Sequence, residues 1–403
     1  MSPERGNFSA SPATGLVGMK ENGFLSEFFT CLSFIPLTTQ SEVRGTMVSI
    51  LSSPRTLNGS SSSGSHLFLL SACSFWCTVA MGALVRGCPI ESVEGYCQRA
   101  KEAMASYSGP ENIEVVKAGV MMAYLHAYIG DTETFHEFLV PSEALLHDVV
   151  DRGSTRVLPV GFDEVIKHGA TVKCFNDDIA PDRVESLLAE DISLPEIGEA
   201  ATEAEMFRFV FGFHRKVEQD AYIAKAGLGT TGFKRNADAS SRTMHSQPPP
   251  SDPIEAQFTK MNRFEFTPLE RAVDRPSIRA GLGGLVINSV LVIEKALRGN
   301  SHGALERLRL CVEVYERYPG LLRSNMTLHL AHILLSIAAA MGNPVARELF
   351  DKLRNAYNLM VPRESIAVPP LDEWRGVAAL CDKAACGAME SSFVSVNVAA
   401  FSS

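Results

Sequence analysis

Between Leu67 and His147 the spacing of apolar and polar positions predicts four helices in two back-to-back pairs. The first pair covers Leu67–Arg86 and Ile90–Ser106 and is interrupted at Gly87-Cys88-Pro89. The second covers Asn112–Ile129 and Thr132–His147 and is interrupted at Gly130-Asp131. In each pair the leading helix is apolar and rich in small residues, and the trailing helix is amphipathic. Val93, Tyr96, Cys97, Ala100 and Met104 recur at helical spacing in the first trailing helix, and Phe135, Phe138, Leu139, Ala144 and Leu145 in the second. Val116, Val120, Met121, Tyr124, Leu125 and Tyr128 make a wide stripe on the second leading helix. Ala80, Gly82 and Ala83 in one leading helix, and Ala118 and Gly119 in the other, let helix backbones approach closely. Gly87 and Gly130 each close a leading helix and stand 43 residues apart, near the ~40-residue period of helical solenoids.

The pattern returns later in the chain. Leu282–Arg298 and Gly303–Tyr318 read as helices stopped by Gly299-Asn300 and Pro319-Gly320. Leu321–Met341 and Val345–Leu359, split at Gly342-Asn343-Pro344, read as a further hairpin of the same design. The apolar patch from Phe24 to Ile35, stopped by Pro36, predicts a short helix, and Gln40–Leu51 a second. Glu199–Ala226 reads as a helix, Ala256–Glu265 and Pro268–Val273 as weaker candidates, and Leu371–Met389 as a terminal one. Ser52–Ser65 is Ser/Gly-rich and reads as a flexible linker. Asp151–Glu199 reads as an irregular connection with short helices at Asp163–His168 and Pro181–Ala189, and the polar, proline-bearing Gly227–Ile254 as a disordered linker. No strand-length run alternates with period two. The expected class is all-α: stacked antiparallel helical hairpins, tetratricopeptide-like or solenoid-like, with disordered linkers. The expected organisation is 1–65, short helices and a linker; 66–226, a helical-hairpin regulatory domain with an irregular insertion at 151–199; 227–254, a linker; and 255–403, a C-terminal helical region.

Composition narrows the function. Hydrophobic residues make up 46% and charged residues 21% of the chain, which suits a packed core and excludes global disorder. The formal net charge is −9 and no dense Lys/Arg run occurs, so direct nucleic-acid binding is not expected. The nine scattered cysteines read as reduced, mostly buried thiols of a nuclear or cytoplasmic protein. Met1–Glu21 is polar and is not a secretory signal, so the sequons at Asn7, Asn58 and Asn325 carry no meaning. Leu67–Val85 is uncharged over 19 positions, which is long enough to span a membrane. Ser71, Cys73, Ser74, Cys77, Thr78 and Gly82 make it only mildly apolar, and a buried core helix is the expected reading.

The candidate chemistry is thin. Gly227-Leu228-Gly229-Thr230-Thr231-Gly232 matches the dinucleotide fingerprint, but a helix precedes it where the chemistry needs a strand. Gly281-Leu282-Gly283-Gly284 opens a helix and could offer bare amides to an anion, although close packing is the commoner use. His329 and His332 have a metal-gripping spacing but no third ligand between Leu328 and Gly342. Cys73/Cys77 and Cys381/Cys386 are unpartnered pairs, and Asp177-Asp178 reads as solvated charge. Phe207, Phe209, Phe211 and Phe213 cover more than one helix face, a core segment or a partner surface. No Gly-x-Ser-x-Gly elbow and no His-Glu-x-x-His occurs. No catalytic, cofactor-binding or metal-binding residue is therefore assigned.

Leu69-Leu70-Ser71-Ala72, Ala80-Met81-Gly82-Ala83-Leu84, Tyr96-Cys97-Gln98-Arg99-Ala100-Lys101, Val115-Val116-Lys117-Ala118 and Ala123-Tyr124-Leu125, closed by Gly130-Asp131, resemble the regulatory middle homology region of fungal-type transcription factors of the Zn2Cys6 class. The resemblance covers about 80 residues of mostly core-forming type, with a looser echo over Leu308–Tyr357, and tetratricopeptide-like hairpins share much of it. It implies an all-helical region that binds an effector or partner and governs transcription in the nucleus. Members usually read DNA through a six-cysteine zinc cluster. Here only Cys31 precedes Cys73 and no Cys-x-x-Cys occurs, so zinc and DNA-binding residues do not carry over. Three functions remain in play: a transcription-factor-like regulator binding protein partners or a small effector, a tetratricopeptide-like scaffold, and a helical enzyme without a recognisable motif.

Overall fold

The computed structural model describes residues 14–52, 63–151, 162, 165–167, 202, 205–210, 212 and 267–360, and every regular element among them is helical. In chain order these are α1 (Thr14–Cys31), α2 (Gln40–Ser52), α3 (Ser63–Val85), α4 (Glu94–Ala105), α5 (Ile113–Ile129) and α6 (Thr132–Asp151). Then come α7 (Thr267–Val273), α8 (Pro276–Arg279), α9 (Leu282–Leu297), α10 (Ser301–Arg317), α11 (Asn325–Met341) and α12 (Pro344–Met360). Short 3₁₀ turns occupy Ile90–Ser92 and Pro319–Arg323. Residues 165–167 and 205–210 are helical within the expected Asp163–His168 and Glu199–Ala226 segments. The expected linker Gly227–Ile254, the short helix Pro181–Ala189 and the candidates Ala256–Glu265 and Leu371–Met389 lie outside the described residues.

Glycines in the left-handed conformation close the leading helices. Gly87, Gly130, Gly299 and Gly342 have φ of 93°, 85°, 71° and 63°, and no described non-glycine residue has a positive φ. An L side chain is strained there, so each position needs glycine. At three of them the chain makes the paired closing bonds of a Schellman turn: Cys88 N–H to the Ala83 carbonyl and Gly87 to Leu84; Asp131 to His126 and Gly130 to Ala127; Asn300 to Lys295 and Gly299 to Ala296. The 43-residue interval between Gly87 and Gly130 recurs between Gly299 and Gly342. Each interval begins at the end of one leading helix and finishes at the end of the next. The chain thus carries two double hairpins, α3–α4/α5–α6 and α9–α10/α11–α12.

Side-chain caps start the helices that follow. The Asn112 Oδ1 accepts from the Glu114 and Val115 amides at 2.8 and 3.3 Å, Asn300 from Gly303 at 3.0 Å, and Asn343 from Ala346 at 2.8 Å. Helix α2 begins with a reciprocal capping box. The Thr39 amide donates to Glu42 Oε2 at 2.9 Å and the Glu42 amide donates to Thr39 Oγ1 at 3.3 Å. Glu42 also pairs with Lys117 of α5 at 3.2 Å. Burial pushes the Glu42 carboxyl up, but the Thr39 amide and Lys117 outweigh it and hold it below the usual carboxylate range. Replacing Glu42 with alanine should cost about 1 kcal/mol in urea unfolding at neutral pH. Because the folded carboxyl is depressed, its contribution is full above the unfolded carboxylate pKa and fades as acid titrates it. The difference should begin to shrink only as the pH falls below the usual carboxylate range, about 4.

Helix α3 is uncharged because other elements cover most of it. It packs against α1, α2, α4, α5 and the Pro319–Arg323 turn. It is the described helix long and apolar enough to cross a membrane, and 72% of its apolar window is buried inside the fold. Gly82 lets α1 cross it at backbone contact: a Cβ there would lie 2.0 Å from the Phe24 carbonyl oxygen. Gly119 does the same between α5 and α6, where a Cβ would meet Ser142 Oγ at 2.2 Å. Helix α6 continues through Pro141, whose missing amide faces the exposed side, and Ser142 Oγ donates to the Phe138 carbonyl at 2.7 Å.

The Pro319–Arg323 turn joins the two double hairpins. It touches α3, α5, α10, α11 and α12. The Arg323 guanidinium donates to the Cys88 carbonyl at 2.7 Å, and Tyr315 Oη donates to the Thr327 carbonyl at 2.8 Å just beyond the turn. Buried side chains from Phe24 to Leu353 form one connected core. The first helix is longer than the short one expected over Phe24–Ile35: it starts at Thr14 and stops at Cys31, leaving Leu32 to Ile35 in a turn. Three further expected starts move. Helix α3 begins at Ser63, inside the expected Ser52–Ser65 linker; the first trailing helix begins at Glu94 after its 3₁₀ turn; and the last leading helix begins at Asn325. In the last two cases residues read as helix are spent on the 3₁₀ turns.

Candidate functional site

Polar and aromatic groups are set into this apolar frame at a few places. At the α5–α6 corner His126 is 3% exposed, and its Nδ1 lies 3.1 Å from Asp131 Oδ2. The other carboxylate oxygen, Oδ1, caps α6 by accepting from the Thr134 amide at 3.0 Å. The imidazole stacks on Phe138, and its Nε2 is buried without a hydrogen-bond partner. Burial and Lys101 hold His126 below the ordinary histidine range, outweighing Asp131 and Glu137. Burial raises Asp131, but Thr134 and His126 outweigh it, so its carboxyl stays below the usual range.

A second cluster joins α1, α3 and α4. Arg99 lies over the Trp76 ring at 4.6 Å, Trp76 stacks on Tyr96 at 5.8 Å, and Phe24 meets Tyr96 edge-on. Tyr96 Oη donates to Glu21 Oε1 at 3.1 Å, and Glu21 Oε2 is buried without a partner. Burial and the Glu21 carboxylate push the Tyr96 phenol up to about 12. In the last turn of α9, Glu294 pairs with Arg298 at 2.8 Å and lies 3.9 Å from Lys295, which also binds Glu270 of α7. Burial outweighs those cations and raises the Glu294 carboxyl.

The residues singled out in the sequence fall mostly into packing roles. A Cβ at Gly281 would strike the Cys31 and Thr30 carbonyl oxygens at 2.5 and 2.6 Å, and one at Gly283 would strike the Phe34 ring at 2.8 Å. These glycines seat α9 against the end of α1. Cys73 and Cys77 are buried in α3, where the Cys77 thiol donates to the Met122 sulfur at 3.4 Å. Burial first, then Cys73 and Cys97, drives the Cys77 thiol up, so it is unreactive. Phe207 and Phe209 are buried, and Phe207 meets Phe34 edge-on. His329 and His332 lie on α11, with side chains outside the described set. Gly227–Gly232, Asp177-Asp178, Phe211, Phe213 and Cys381/Cys386 are outside it too. Among the described residues no group of three His, Cys, Asp or Glu side chains could hold a metal ion.

The His126–Asp131 and Glu21–Tyr96 pairs were not found from the sequence. The first had a signal: a histidine in the last turn before a glycine stop, with a helix-capping aspartate straight after it. The second had none, since its partners are 75 residues apart. No protein-family model, curated protein or solved structure matches the chain.

Proposed function

We propose that this protein is a regulatory helical module that binds a protein segment or a small effector, of the kind that the middle homology region of fungal-type transcription factors provides. The observation that carries the reading is the enclosure of the leading helices. Helix α3 is covered by α1, α2, α4, α5 and the Pro319–Arg323 turn, and residues 120–125 of α5 are fully buried. A tetratricopeptide-like scaffold would instead leave its leading helices lining an open concave face. The scaffold reading keeps the support of the repeated 43-residue interval. In this proposal the module acts in water, in the nucleus or cytoplasm, and reaches nucleic acid only through a partner. It is a binding protein and not an enzyme: the His126–Asp131 pair serves the hairpin corner.

Fusing the full chain to a heterologous DNA-binding domain in a yeast reporter strain tests this. Reporter output should rise or fall clearly relative to the DNA-binding domain alone. Equal output from the two, with the fusion present at equal abundance, removes the regulatory reading.

A further inference from the structure

We propose that His126 and Asp131 form a pH-sensitive latch that holds the α5–α6 corner shut while the imidazole is neutral and releases the first turn of α6 when it is protonated. The inference stands independently of the regulatory reading above. Asp131 binds the corner three ways. Its amide donates to the His126 carbonyl at 3.0 Å, its Oδ1 accepts from the Thr134 amide at 3.0 Å, and its Oδ2 faces His126 Nδ1 at 3.1 Å. The carboxyl is held below its usual range, so it is an anion with no proton to give. The proton between the two side chains therefore belongs to Nδ1, and Nε2 carries a bare lone pair.

A second proton on the ring creates an Nε2–H. That nitrogen is buried and has no partner in the fold, and the ring is only 3% exposed and stacked on Phe138. A buried donor left without an acceptor is costly. The charged groups facing the ring do not change this outcome. Asp131 at the corner and Glu137 on α6 favour the imidazolium, as does the C-terminal end of α5. Lys101 on α4 opposes it, and burial outweighs all of them. Helix α3 carries no charge between Leu67 and Val85, and α11 carries no Asp, Glu, Lys or Arg, only His329 and His332 as titratable side chains. On the Pro319–Arg323 turn the Arg323 guanidinium is engaged by the Cys88 carbonyl. The remaining way to satisfy the new donor is for the ring to swing toward water. That movement pulls Asp131 off the Thr134 amide and uncaps α6. The corner lies against the joining turn, since a Cβ on Gly130 would sit 3.9 Å from the Arg323 carbonyl oxygen. Opening it therefore loosens the contact between the two double hairpins.

Amide hydrogen exchange on the full chain tests the latch. Rates at about pH 7.5 and about pH 5.5 are compared after correction for the intrinsic pH dependence of exchange. Amides of residues 132–138 should lose up to about tenfold in protection at the lower pH, the most that one histidine of ordinary open-state pKa can supply, while those of α9 keep theirs. In His126→Gln, which cannot take up a proton, protection at 132–138 should not change with pH. The proposal is overturned by unchanged protection in the wild type, by an equal loss in His126→Gln, or by a loss spread evenly over α9. If His126→Gln does not fold, the imidazole NMR resonance of His126 in the wild-type chain decides. Protection at 132–138 must go on falling down through the pH at which that resonance titrates, and titration with no accompanying loss overturns the latch.

Discussion

Replacing Gly320 with alanine lowers the thermal unfolding midpoint by about 10 °C, followed by far-ultraviolet circular dichroism. The reason is geometric. A Cβ at residue 320 would lie 1.8 Å from the Leu84 carbonyl oxygen and 2.8 Å from Val85 Cα. Both are backbone atoms of α3, so no flexible side chain can move aside. The φ of Gly320 is not positive, so the loss reflects crowding and not backbone strain. Relief requires the Pro319–Arg323 turn to lift off α3, which stretches the Arg323–Cys88 bond and uncovers part of the core. Overpacking of this kind costs ~3 kcal/mol or more where nothing can yield. Gly45, whose Cβ would meet nothing within 4 Å, is the matched control. Alanine there should be neutral or slightly stabilising, because it sits inside helix α2. Equal midpoints for Gly320→Ala and the wild type would mean that the turn does not seat on α3 as described.

Glutamate at Val79 has a still larger effect. Val79 is fully buried in α3, and no basic residue lies between Leu67 and Val85 to pair with the new carboxylate. An unpaired buried charge costs several kcal/mol, a large share of a typical domain's stability. We expect the variant to lose its cooperative unfolding transition. Glutamate at Ser71, an exposed position on the same helix, should stay within about 0.5 kcal/mol of the wild type. The contrast between two sites on one uncharged helix is what matters. If both substitutions unfold the protein equally, α3 is not sided in the way its neighbours require.

The hairpins were legible in the sequence because local chemistry states them. A left-handed turn demands glycine, and Gly87, Gly130, Gly299 and Gly342 stand where the apolar stripes stop. Asn112, Asn300 and Asn343 cap the helices that follow, a role that the apolar spacing alone does not state. The joining turn was not legible. Pro319-Gly320 reads as a plain helix stop, because its second role depends on Leu84 and Cys88, and the Arg323–Cys88 bond spans 235 residues. Periodicity also ran the last leading helix back to Leu321, since Leu321 and Leu322 are apolar and fully buried, yet they belong to the 3₁₀ turn. The chemistry was less legible than the fold. A histidine inside an apolar stripe looks like filler, and His126 becomes distinctive only once the Gly130 turn folds Asp131 back onto it.

The equal spacing of the closing glycines has a mechanical side. Helix α3 leans on α5, and α9 on α11, so each unit lends its neighbour an oily flank. Neither flank can be withdrawn without wetting hydrocarbon on both members. The two pairs share hydrocarbon at the short turn Pro319–Arg323 and where α11 touches α5, so parting them would wet both at once.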